Sequence, residues 1–217
     1  MRLRIFLMLL GAVLVAATFT FPLWQPILSH RGAASVDAFP GLDPRLQSAF
    51  LNFPQEQQRA FLALNQTDPD KALAMVSAAL APRVPVPTDQ QAMPDLNAPV
   101  TVASGTFQQI NAIQYGQGTI NIFQDASNAL TMRFDGFSTL NGPDLHVYLT
   151  AADAPKTVAD MTTNGVDKLD VGALQSSYGG QNYVLTNITD LTQYHSVVIY
   201  SPSLDLIYTY APLFVRQ

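Results

Sequence analysis

The chain has 217 residues, 48% of them hydrophobic and only 12% charged, with a formal net charge of -5 and no cysteine. This is enough apolar material for one domain with appendages, and the acidic balance lacks the basic footprint that neutralises phosphates, which argues against nucleic acid as a partner. Without cysteine, disulfides, thiolate metal sites, cysteine nucleophiles and c-type haem attachment are excluded.

In chain order, Arg2 and Arg4 precede an apolar run over residues 5–21 that holds no ionisable side chain and is followed by Trp24. A helix extended to Trp24 or Leu28 crosses a hydrocarbon core of about 30 Å. Residues 1–28 are therefore expected to be a signal or transmembrane anchor. Val15-Ala16-Ala17 offers small residues to a peptidase, but the apolar stretch continues past them, which favours retention. The positive-inside rule then leaves Arg2 and Arg4 inside. The rest of a single-pass membrane protein lies outside the cytoplasm; cleavage would instead give a secreted domain.

Residues 37–81 read as a stalk of short helices. Asp43-Pro44 and Asp68-Pro69 each place an N-capping acid before a proline at the first helical position. Leu46, Phe50, Leu51 and Phe53 supply one apolar face, Phe61, Leu62 and Leu64 continue it, and Leu73, Met75, Val76 and Leu80 form another before Ala81-Pro82. Helices this short must pack on something to persist. Pro82, Pro85, Pro87, Pro94 and Pro99 then mark residues 82–99 as an extended linker.

From residue 100 to 217 the texture changes to β-branched and aromatic alternation broken by turn dipeptides such as Asp135-Gly136, Asn141-Gly142, Asn164-Gly165 and Gly179-Gly180. Strands are expected over residues 105–113, 118–124, 129–134, 146–150, 170–173, 181–185, 196–200 and 207–213. The fold class is mainly β, an antiparallel β-sandwich of about eight strands preceded by a transmembrane helix and stalk helices.

The densest polar constellation lies on the strand where Leu145, Val147 and Leu149 alternate with Asp144, His146 and Tyr148. One face is apolar; the other presents an acid, an imidazole and a phenol, which makes His146 and Tyr148 candidates for a surface site. His195 is the other histidine of this domain. With Asp144 the two histidines are a candidate three-ligand metal set, against the simpler reading of a hydrogen-bonded histidine at the sandwich edge. No nucleophile elbow, Walker loop or dinucleotide fingerprint is present, so no catalysis is evident. Asp135, Asp144, Asp170 and Asp205 are the acids available for paired-carboxylate chemistry, and aspartates beside turns are usually turn-makers. Asn65-Gln66-Thr67 and Asn187-Ile188-Thr189 match the glycosylation pattern.

The β-domain resembles the DM-thirteen family. The resemblance runs from Ala103-Ser104-Gly105-Thr106-Phe107 to Ala211-Pro212-Leu213 and is strongest in Asn141-Gly142-Pro143-Asp144-Leu145-His146-Val147-Tyr148-Leu149. Leu169-Asp170-Val171-Gly172, Gly179-Gly180-Gln181-Asn182-Tyr183 and Tyr194-His195-Ser196-Val197-Val198-Ile199-Tyr200 add to it. The leader and stalk also resemble those of bacterial members carried on a membrane anchor.

The resemblance implies a β-sandwich and an electron-transfer role resting on a cysteine just after the aromatic residue of the late strand, as a free thiol or as a holder of a group such as haem. Here that position is Ser201. A serine hydroxyl is neither redox-active nor a soft ligand at neutral pH, so the thiol chemistry does not transfer. The expectation is a membrane-anchored binding module of the cell envelope, without cofactor, whose partner is an envelope protein, a polymer or a small ligand. The alternative is a redox domain holding haem or a metal through His146, His195 or Met132.

Overall fold

The computed structural model describes residues 38–161, 168–186, 188 and 190–216. The expected anchor, the Asn164-Gly165 turn and the Asn187 and Thr189 positions lie outside the described residues. Among those described, no helix is long and apolar enough to cross a membrane.

Of the two cap-plus-proline signals only Asp68-Pro69 caps a helix; the first helix starts behind Leu46 with no side-chain cap, and Asp43-Pro44 forms the turn before it. Asp43 accepts from the Arg45 amide at 2.8 Å just ahead of α1 (Gln47–Phe50). After α2 (Gln55–Thr67), Asp68 accepts from the Lys71 amide at 3.0 Å and opens α3 (Pro69–Leu80) with Pro69 in its first turn. The apolar faces converge on a phenylalanine cluster in which Phe39, Phe53 and Phe61 surround Phe50 at centroid distances of 5.1 to 6.3 Å. Phe50 and Phe61 are essentially inaccessible to solvent, so burial rather than intrinsic propensity holds these short helices.

The eight strands are β1 (Val100–Thr106), β2 (Gly116–Gln124), β3 (Leu130–Thr139), β4 (His146–Thr150), β5 (Leu169–Ala173), β6 (Tyr178–Leu185), β7 (Ser196–Ser201) and β8 (Leu206–Val215). They form one nearly closed antiparallel sheet in the order β5-β4-β7-β8-β1-β2-β3-β6. Its two halves meet in the β1–β8 ladder, where Ala103, Ser104 and Gly105 face Val215, Phe214 and Leu213. Inside, Val147 and Leu149 of β4 lie across from Ile199 and Val197 of β7, while the rings of Phe107, Phe134 and Phe137 stack within 4.7 to 5.2 Å.

Three expectations about the strands are corrected. Residues 107–113 are not strand: the Asn111 side chain accepts from the amides of Ile113 and Gln114 and turns the chain, while β1 begins directly after Pro99. Asp135-Gly136 does not end β3 but forms a bulge within it, with Gly136 at φ +58. The face of β4 that carries Tyr148 is not open surface. Met161, from a 3-10 turn at Val158–Met161 in the β4–β5 connection, packs there with Tyr148, Val198, Tyr200, Ile207 and Tyr210 as a second apolar cluster.

The segment expected as a linker lies against the sheet, and Phe39–Gln217 form one compact unit. Proline-rich backbone leaves its carbonyls without ladder partners. Here β-domain side chains supply the donors: Arg133 to Gln91 O at 3.0 Å, Asn182 to Gln90 O and Ala92 O at 2.9 and 2.8 Å, and Ser176 to Val84 O at 2.7 Å. A short helix α4 (Thr88–Gln91) forms within this docked stretch.

Candidate functional site

The loop ahead of β4 is held from three sides. The Asn141 amide nitrogen donates to Ala78 O near the end of α3 at 3.0 Å, beside the Ala81 amide that bonds the same carbonyl. Gly142 packs closely against Tyr208; a Cβ there would come within 2.3 Å of the phenol oxygen. The Ser201 hydroxyl, wholly buried at the end of β7, donates to Pro143 O at 2.7 Å and lies 3.2 Å from the Ser203 hydroxyl. The loop then delivers Asp144 at φ +51 to the edge of a cleft.

β4 begins with His146, paired to Ala173 of β5 and Tyr200 of β7. A bulge between Val147 and Tyr148 places Asp170 opposite Tyr148, on the face that His146 shares. The result is an imidazole with a carboxylate at each ring nitrogen. Nδ1 is 3.0 and 3.2 Å from the two Asp170 oxygens, and Nε2 is 3.5 Å from Asp144 Oδ1. Asp170 is itself held by the Gly172 amide at 2.8 Å.

Behind this group the Tyr148 and Tyr200 rings meet edge to face at 5.5 Å, with the Lys168 ammonium 4.6 Å from the Tyr200 centroid and 5.5 Å from that of Tyr148. Burial and then a hydrogen bond to Asp170 push the Tyr148 phenol up to about 12; burial and the Asp205 carboxylate do the same for Tyr200, also to about 12. The Tyr200 hydroxyl donates to Asp205 Oδ1 at 2.8 Å.

The cleft in front has a volume of about 330 Å³, and Val84, Asn141, Asp144, His146, Gln175 and Ser176 are among its walls. One N–H of each of the Asn141 and Gln175 amides is committed, to Ala78 O and Asn182 O, and the Ser176 hydroxyl donates to Val84 O. The polar groups left to a ligand are the Asp144 carboxylate and the His146 imidazole, together with the oxygen and second N–H of each amide.

Of the residues singled out from sequence, the structure brings Asp144 and His146 together, with Tyr148 buried behind them at 8% exposure. His195 is elsewhere. The β4–β7 register sets His146 against Tyr200 and Thr150 against Ser196, so His195 lies beyond the other end of β4, roughly 13 Å of strand away. There its Nδ1 meets Asp153 at 3.0 Å. Met132 is fully buried on β3. His146, His195 and Met132 cannot converge on one group, and the buried Ser201 hydroxyl offers no soft donor, so these residues do not fit the haem or thiol centre expected of the family. Among the described residues, no three or more His, Cys, Asp or Glu side chains are clustered as metal ligands. The local reading missed two partners of this site. Asp170 was legible only as a turn-side acid, and Gln175 carried no signal.

The family described as Electron transfer DM13 matches residues 106–213. No curated protein matches the chain. Among solved structures, Candida albicans superoxide dismutase 5 in its Cu(II) form is similar at 12% identity and a TM-score of 0.35, over 54% of this chain and 94% of that one. Two variants of the same enzyme match over the same spans at 11% identity and a TM-score of 0.34.

Proposed function

Residues 106–213 are a domain of the electron transfer DM13 family, and from that premise we propose that this chain is a non-catalytic binding module of the bacterial cell envelope. It is held to the membrane by its N-terminal apolar segment and takes its partner in the cleft beside Asp144 and His146. The observation that carries the reading is the Ser201 to Pro143 hydrogen bond. Where the family's redox role would need a thiol, this chain has a buried hydroxyl committed to the loop that shapes the cleft.

Two further features support it. The cleft walls are fastened by hydrogen bonds before any ligand arrives, which lowers the ordering cost of binding. The serines nearest His146 donate to backbone carbonyls of Val84 and Pro143 and are not presented to the imidazole as nucleophiles.

The test is electronic absorption spectroscopy and voltammetry on the full chain purified from its native host, with a photo-crosslinker at Gln175. The expected result is a plain protein spectrum, no reversible couple, and capture of an envelope component at Gln175 but not at a control position on Gln117. A stoichiometric haem band or a reversible couple would return the chain to electron transfer.

A further inference from the structure

We infer that His146 Nε2 and Asp144 form the protein half of a binding site for a divalent metal ion of zinc's class, with Asp170 as its support. The inference rests on the cleft being a binding site and names what is taken there.

The first argument is the state of the histidine. A metal-ligating imidazole commits its other nitrogen to a carboxylate or carbonyl, which fixes ring and tautomer. Nδ1 of His146 sits 3.0 Å from Asp170 Oδ2, and that carboxylate is steadied in turn by the Gly172 amide. Nε2 is left toward the cleft. The chain Gly172, Asp170, His146 runs outward through these contacts and ends on Nε2 at a 330 Å³ opening.

The second is the distance between the two donors. Nε2 and Asp144 Oδ1 are 3.5 Å apart. A good N–H···O hydrogen bond is about 2.7–3.2 Å long, so the pair is loosely set as a direct contact. Two donors bound to one tetrahedral zinc at about 2.1 Å each stand about 3.3–3.5 Å apart, so an ion seats between them with little movement.

The third is the fixing of Asp144. It belongs to the loop tied to Ala78, Tyr208 and Ser201, so its carboxylate is not on a free arm. His195 makes the contrast: it has one carboxylate, Asp153, which is 88% exposed, and it lies beyond the far end of β4.

Two protein donors are fewer than the four of a closed structural site, so the ion keeps exchangeable positions. Water fills these until a partner's carboxylate, phosphate or imidazole replaces it. Asn141 borders the same opening and carries an amide oxygen, a further hard donor. The ion is thus the bridge by which an acidic or imidazole-bearing partner reaches the Asp144 and His146 side of the cleft.

The experiment is calorimetric titration of the chelator-stripped full chain with zinc, paired with cobalt(II) titration followed in the visible. One saturable equivalent and tetrahedral cobalt bands are expected. H146A and D144N each abolish the site, H195A leaves it intact, and D170N weakens it about 10–100-fold at unchanged stoichiometry. Near-ultraviolet dichroism of each variant confirms the fold, so that loss of binding is not loss of structure. No saturable binding at millimolar zinc, or a site that survives H146A, overturns the inference. Crosslinking from Gln175 separates this outcome from the broader reading. A partner captured by a protein that binds no zinc removes the metal site alone, whereas zinc bound with no partner captured removes the envelope module and keeps the metal site.

Discussion

Ser201 and Pro143 are joined by a 2.7 Å hydrogen bond in which the buried serine hydroxyl donates to the proline carbonyl, tying the end of β7 to the loop that opens β4. S201A removes this donor from the half-buried Pro143 carbonyl and should cost about 0.5–1.5 kcal/mol, read from urea denaturation. S201C restores the family's residue without restoring its chemistry. The thiol would be as inaccessible as the hydroxyl, so a thiol reagent should label it only after unfolding. Rapid labelling of the native variant would show that this position opens to solvent, and would reinstate the redox reading.

Gly142 and Tyr208 give a second test. The Tyr208 hydroxyl is fully buried and has no hydrogen-bond partner among the described residues, and burial raises its pKa. Y208F removes an unpaired polar atom and should leave stability unchanged or raise it by about 1 kcal/mol, seen as a higher thermal midpoint. G142A should be clearly destabilising, and Y208F should not rescue it. The added Cβ would come within 2.4 Å of the ring carbon as well as 2.3 Å of the oxygen, and phenylalanine keeps that carbon.

Much of this site was legible locally, and the reasons for the rest are specific. The alternation of Leu145, Val147 and Leu149 with Asp144 and His146 located β4 to the residue and picked out the acid and the imidazole. Tyr148 lies on the same polar phase yet is buried, because the β4–β5 connection folds Met161 over it. Period-two patterning records which residues share a face and not what later covers that face. The Asp170 contact depends on strand pairing across a separation of 24 residues together with a bulge, and neither leaves a local trace. The proline-rich stretch reads as a spacer by composition. Its docking depends on Arg133 and Asn182, whose positions follow only from the β3–β6 register.

The raised phenols set a pH dependence on the alkaline side. Tyr148 and Tyr200 move from 10.0 in the unfolded chain to about 12 in the fold. Between those values the unfolded state releases protons that the folded state keeps, so stability falls as pH rises. Below pH 10.0 neither tyrosine contributes a slope. Urea midpoints measured across this window should drop for the native chain and fall less steeply for Y148F and Y200F. An unchanged slope in both variants would mean that the rings are not held neutral by their surroundings.

Arg133 is the test of the docked segment. Its guanidinium reaches Asp135 at 2.7 Å, Asn182 at 3.0 Å and Gln91 O at 3.0 Å, which joins β3, β6 and the proline-rich stretch through one side chain. Gly180 lets the segment come this close, because a Cβ there would lie 2.9 Å from Gln91 O. R133A should therefore loosen residues 82–99 without unfolding the sheet, whose ladders do not depend on it. Hydrogen exchange is the direct readout: the Gln90 and Gln91 amides, bonded to Pro87 O, should exchange faster while those of β7 keep their protection. R133K should behave as R133A does, since an ammonium cannot reproduce a planar fork that serves three acceptors at once. If exchange at Gln90 and Gln91 stays unchanged in both variants, the segment is held by the burial of Val86 against the domain, and V86A becomes the substitution that frees it.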